Sequence, residues 1–107
     1  MDILKLQQEI DAFIKDKGCN NQIEVRLLDL VSEIGELSKE LLTGSAYGCR
    51  PFEVTDNWTG ELGDAFFSLI CVANATGCSL ETCLKTVLMK YEDRYTINHD
   101  LSSGKKI

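Results

Sequence analysis

Basic residues are in short supply in this chain of 107 residues: 11 Lys and Arg stand against 17 Asp and Glu, a formal charge of -6. That balance argues against a nucleic-acid partner, because affinity for a phosphate backbone comes mainly from Lys and Arg neutralising it. A small phosphorylated ligand held through a divalent cation stays open, since the acids then bind the cation and few basic residues need reach phosphate. Histidine occurs once, at His99, and there is no Cys-x-x-Cys pair, so the usual zinc spacings are absent. The cysteines, Cys19, Cys49, Cys71, Cys78 and Cys83, are odd in number, which points to reduced thiols and a cytoplasmic protein. Cys71, Cys78 and Cys83 are expected as small buried apolar residues. Nowhere do 18 apolar residues run together, so no membrane span is expected. Polar residues from Asp2 to Glu9 interrupt every apolar stretch at the N-terminus, so no signal peptide is expected.

What is present is helical periodicity. Ile3, Leu6, Ile10, Phe13 and Ile14 recur at helical spacing until Gly18, Asn20 and Asn21 break the pattern. Leu27, Leu30, Val31, Ile34, Leu37 and Leu41 predict a second helix from about Ile23 to Leu42, with Gly44 as its stop. Residues 43–54 hold two Gly and the only Pro and form a connection long enough to suggest function. Thr55 or Asp56 is the expected cap of a third helix carrying Leu62, Phe66, Leu69, Ile70 and Ala73 up to Gly77. Ser79 is the expected cap of a fourth, whose apolar face is Leu84, Val87, Leu88 and Tyr91. No stretch alternates with period two for long enough to make a sheet, and no repeat is evident. The expectation is an all-α domain of four principal helices over residues 1–96, then a polar tail over 97–107. A domain this small gains burial from association of protomers.

Two pairs of carboxylates share one spacing: Glu33 with Glu36 on the second helix, Glu61 with Asp64 on the third. At i and i+3 two side chains project from adjacent turns on one face, within reach of one ion. Glu33, Glu36 and Glu40 form a stripe beside the apolar stripe, at the edge of a helix–helix interface. Clustered like charges cost roughly a few tenths of a kcal/mol per pair, so a helix gains nothing from them unless a cation removes the repulsion. Carboxylate oxygens are what Mg²⁺ and Mn²⁺ prefer. Solvated surface acids are the alternative for either pair alone.

The segments Val31-Ser-Glu-Ile-Gly-Glu-Leu37 and Glu61-Leu-Gly-Asp-Ala-Phe-Phe67 resemble the ExxE…ExxD signature of MazG-type nucleotide pyrophosphohydrolases. The likeness runs from about Leu27 to Tyr95 and includes the Gly77-Cys-Ser-Leu-Glu81 turn into the last helix. It implies that Glu33, Glu36, Glu61 and Asp64 bind Mg²⁺. That family commonly has a further acid before the first motif Glu, where this chain has Ser32. It also implies a homodimer or homotetramer whose helices complete a bundle. Lys90-Tyr-Glu-Asp-Arg94-Tyr95 resembles the family's phosphate-contacting stretch, and Lys90 and Arg94, i and i+4, could clamp a triphosphate or instead pair with neighbouring acids.

Trp58 lies one turn before Glu61 and could stack on a base or pack in the core. Asn74 could hydrogen-bond a base or ribose, or make a buried structural hydrogen bond. His99 is assigned no role. The resemblance implies a Mg²⁺-dependent hydrolase converting NTP or dNTP to NMP and pyrophosphate, Mn²⁺ substituting, in nucleotide-pool housecleaning. Competing readings are a nucleotide-binding regulatory module with little turnover, a phosphoribosyl-ATP pyrophosphohydrolase, and a structural adaptor. A di-iron bundle would need Glu-x-x-His motifs, which are absent.

Overall fold

A computed structural model describes residues 2–98, and they form four helices: α1 Ile3–Asp16, α2 Ile23–Gly44, α3 Trp58–Ala75 and α4 Leu80–Asn98. Among the described residues there is no strand, so the fold is all-α. α1 starts where Asp2 Oδ1 accepts the Lys5 N–H at 2.8 Å, and it ends at Gly18, whose φ of +66° lets the chain turn back onto the last carbonyls. The Gly44 stop is displaced by two residues from the expected end of α2, and Gly44 is itself helical. A Cβ there would lie 2.6 Å from both the Glu53 carbonyl oxygen and the Phe52 ring, so glycine is needed for close approach of the connection. The Gly44 carbonyl accepts from Arg50 Nη1 at 2.7 Å and from the Glu53 N–H at 3.0 Å, which closes the helix end.

Neither Thr55 nor Asp56 caps α3. The flanking residue is Asn57, without a side-chain capping bond, while the Thr55 hydroxyl donates to Glu40 across the helix pair and its carbonyl accepts the Trp58 N–H. With α3 beginning at Trp58, the cap position falls on Asn57, and Thr55 and Asp56 lie before it. Ser79 does cap α4, its Oγ accepting from the Thr82 N–H at 3.3 Å. α4 continues through Asn98, past the expected boundary at residue 96, while His99 and the rest of the expected tail lie outside the described residues.

α2 and α3 make the main packing interface, α1 lies on α3, and α4 breaks from α3 by 100° and rests on α1. Side-chain links Asp29–Ser68 and Glu40–Thr55 show α2 and α3 to be antiparallel. The buried apolar core is small: Ile14, Ala65, Ile70, Cys71 and Ala73. Cys71 is buried as expected, but Cys78 and Cys83 are exposed. Cys78 follows the turn glycine Gly77, and Cys83 lies on α4, which has too few neighbours to cover it. The same shortage leaves Leu84, Leu88, Met89, Tyr95 and Ile97 of α4 exposed, with Leu62 and Phe66 of α3. The radius of gyration is 17.3 Å, against about 13 Å for a compact chain of this length. No single helix among the described residues is long and apolar enough to cross a membrane.

Candidate metal centre

Antiparallel pairing of α2 with α3 brings the two acidic pairs to one level of the interface. Glu33, Glu61 and Asp64 each place a carboxylate oxygen within 4.8 Å of the others'. Glu33 and Glu61 are half-buried and Asp64 is exposed, so the cluster sits at the solvent edge of the helix pair, as the stripe beside the apolar face requires. Glu36 is exposed and lies outside this close group, although its charge reaches Glu33. Partial burial of Glu33, and then the charges of Asp64, Asp29, Glu61 and Glu36, push its carboxyl above the ordinary value of 4.5.

The acids at the ends of the α2 stripe have protein donors. Asp29 Oδ2 accepts from Ser68 Oγ at 2.8 Å, and Glu40 Oε1 accepts from the Thr55 hydroxyl. Between them Glu33, Glu36, Glu61 and Asp64 have neither a side-chain donor nor a Lys or Arg among the described residues. Like charges held together this way repel one another, and a bound cation or a bound proton would offset the repulsion. The donor set, all hard carboxylate oxygens, suits Mg²⁺ or Mn²⁺. Bonds of 2.0–2.1 Å put the ligands of one Mg²⁺ at most about 4.2 Å apart, so small side-chain movements would close the group around an ion.

Asp29 and Ser68 were not among the sequence candidates. Asp29 precedes Glu33 by four residues and Ser68 follows Asp64 by four, so continuing the i,i+4 pattern outward from each motif is the signal that finds them.

The other candidate residues fall elsewhere. Trp58 is half-buried at the start of α3 and packs on Phe52, ring centroids 5.0 Å apart, which supports the packing reading. Asn74 lies ten residues beyond Asp64 on α3, about 15 Å along the helix. Its amide is engaged by α1: Asn74 Oδ1 accepts from Gln7 Nε2 at 3.1 Å, and Asn74 Nδ2 donates to the Gln7 carbonyl at 3.0 Å. The structural hydrogen bond is thus what the structure contains, and Asn74 does not join the acids.

Lys90 and Arg94 share a face of α4, where both cations lie over the Tyr91 ring, at 5.3 and 5.6 Å from its centroid. The break after α3 and the rise of 1.5 Å per residue carry them roughly 20 Å or more from Asp64 of the same protomer. One protomer therefore brings together Glu33, Glu61 and Asp64, with Glu36 a turn away, and leaves Trp58, Asn74, Lys90 and Arg94 outside that cluster.

Residues 22–97 match the family model of the MazG nucleotide pyrophosphohydrolase domain. The uncharacterized protein YpjD of Bacillus subtilis (strain 168) is 31% identical over 94 residues, which cover 83% of this chain and 82% of that protein. A crystal structure of a Bacillus-conserved MazG protein, a nucleotide pyrophosphohydrolase, superposes with a TM-score of 0.71 at 30% identity, covering 85% of this chain and 89% of that one. The matched segment spans α2, α3 and α4 and contains all four motif acids. On these grounds the chain belongs to the MazG nucleotide pyrophosphohydrolase family, a family of hydrolases acting on nucleotides.

Proposed function

We propose that this protein is a Mg²⁺-dependent nucleoside triphosphate pyrophosphohydrolase, Mn²⁺ substituting, that releases pyrophosphate from NTP or dNTP and serves nucleotide-pool housecleaning in the cytoplasm. The observation that carries the reading is the convergence of Glu33, Glu61 and Asp64 from two helices with no Lys or Arg among the described residues paired to them. Glu36 completes the ligand set by rotating inward from its exposed position one turn along α2. When bound, the cation polarises the phosphates and lowers the pKa of the attacking water. Water adds to a phosphorus of the α–β anhydride, the bond from that phosphorus to the bridging oxygen breaks, and nucleoside monophosphate and pyrophosphate separate. One motif Glu takes the proton from that water. The acids hold these groups in place beforehand, so the acceleration comes chiefly from positioning and charge stabilisation.

The protein acts as a homodimer or homotetramer. An apolar cleft of about 620 Å³ between α2 and α3, lined by Leu30, Ile34, Leu37, Leu62, Phe66 and Leu69 among others, supports association through that face. In the assembly Lys90 and Arg94 approach the substrate phosphates from another protomer, because their own acids are out of reach.

The experiment is pyrophosphate release from a panel of canonical and modified triphosphates, with phosphoribosyl-ATP included, in Mg²⁺, Mn²⁺ and EDTA. Turnover of a triphosphate that EDTA abolishes supports the proposal. Turnover of phosphoribosyl-ATP alone reassigns the substrate. Cation-dependent nucleotide binding without product makes the chain a regulatory module instead.

A further inference from the structure

α2 and α3 run antiparallel, so a step of four residues back from Glu33 and a step of four forward from Asp64 travel the same way along the pair. Those steps arrive at Asp29 and Ser68, which form the next layer beside the acidic cluster. Ser68 is 2% exposed, and its hydroxyl donates to Asp29 Oδ2 at 2.8 Å. Asp29 is half-buried, and Oδ1 has no donor among the described residues. We infer that Asp29, oriented by Ser68, is a positioning residue for the cation site, acting on it from one layer out. The inference rests on the cation reading proposed above.

Direct ligation does not fit the hydrogen bonding. Asp29, like Glu36, lies outside the mutually close group of Glu33, Glu61 and Asp64, but Glu36 is exposed and free to turn inward whereas Asp29 is pinned to α3 by the Ser68 hydroxyl. A purely structural role does not account for the charge. An interhelical hydrogen bond from Ser68 could end on a neutral amide, and a carboxylate placed four residues before Glu33 adds like-charge repulsion on the same helix face. A fixed negative charge one layer from a cation is favourable only once the cation is present. Partners at this remove orient the inner ligands and raise affinity for the metal.

The test is isothermal titration of Mn²⁺ into the metal-free full chain, wild type beside D29N, S68A and E61Q, with melting temperatures of the metal-free proteins measured alongside. Asn keeps an oxygen that accepts from Ser68 and removes only the charge. D29N is expected to bind Mn²⁺ about ten- to a hundred-fold more weakly, with a metal-free melting temperature equal to or above that of wild type. S68A is expected to weaken binding in the same direction by a smaller factor.

Binding by D29N within threefold of wild type overturns the inference. An affinity loss matched by a drop in metal-free melting temperature also overturns it, because Asp29 is then an interhelical link. If E61Q abolishes binding while D29N does not, the cation site stands and only the role of Asp29 falls. Failure of wild type to bind Mn²⁺ removes both.

Discussion

Gln7 and Asn74 hold one another across 67 positions of sequence. The Gln7 side chain donates to Asn74 Oδ1 and to the Cys78 carbonyl, its own Oε1 accepts the Leu80 N–H at 2.8 Å, and Asn74 Nδ2 returns a bond to the Gln7 backbone. Gln7 is 5% exposed, so this clamp ties α1 to the end of α3 and the start of α4 inside the protein. It is the main polar link that fixes where α4 points.

Removing the clamp is expected to destabilise the fold without touching the chemistry. Gln7→Ala strands the Leu80 N–H, the Cys78 carbonyl and the Asn74 amide oxygen, at about 2–4 kcal/mol in total. Urea denaturation of Q7A and N74A measures that loss. The KM for nucleotide in N74A should match wild type at a temperature where both remain folded, and a raised KM without lost stability would instead give Asn74 a substrate contact.

Replacing motif acids should separate stability from activity in the opposite sense. Glu33→Gln and Glu61→Gln relieve like-charge repulsion, so the metal-free variants should melt at or above the wild-type temperature. Turnover should fall by at least about a hundredfold, given how much charge stabilisation one group supplies. Pyrophosphate release and scanning calorimetry on the same preparations read both quantities.

The raised pKa of Glu33 sets a pH dependence. Burial and neighbouring acids make the folded protein bind the Glu33 proton more tightly than the unfolded chain does. The stabilising contribution is fully present below the unfolded value near 4.5 and is lost as pH rises through the higher folded value. The metal-free protein should therefore lose some stability across that window, less so in E33Q. Mn²⁺ affinity should climb across the same window, because the ion displaces the proton. Titrations in two buffers of different ionisation enthalpy count the protons released.

Gly44→Ala should cost about 1–3 kcal/mol, because the new Cβ meets a backbone oxygen and a ring carbon at 2.6 Å and the connection must move. Denaturant midpoints at unchanged m-value would register this.

Sequence periodicity was a good guide wherever the relevant neighbour sits on the same helix. The closeness of Glu61 to Asp64, the α2 span and the Ser79 cap all depend on spacings of three or four residues, which a helix enforces by itself. Choices made between helices were not legible. Thr55 was an eligible cap, but α3 begins at Trp58, beyond its reach, and its hydroxyl donates across to Glu40 on α2. Asn74 inside an apolar helix signalled a polar partner without saying that Gln7 would be it. Cys83 and Leu84 lie on a helix whose apolar positions are easily read, yet periodicity gives the existence of a face and not its cover, and one protomer leaves both exposed. Glu36 matches Glu33 in sequence spacing but differs in rotamer freedom, because it lies further into solvent.

Ser68 and Thr55 grip the outer carboxylates through neutral hydroxyls, and a neutral grip fixes an acid in place without cancelling its charge. Asp29 to Glu40 thus stays a continuous anionic rail of about 16 Å along α2. Such a rail attracts any cation, potassium and polyamines along with magnesium. On the proposed cation reading, discrimination among them would fall to the pinch at Glu33, Glu61 and Asp64, where oxygens drawn this close favour a small, doubly charged ion over a large monovalent or a diffuse organic one.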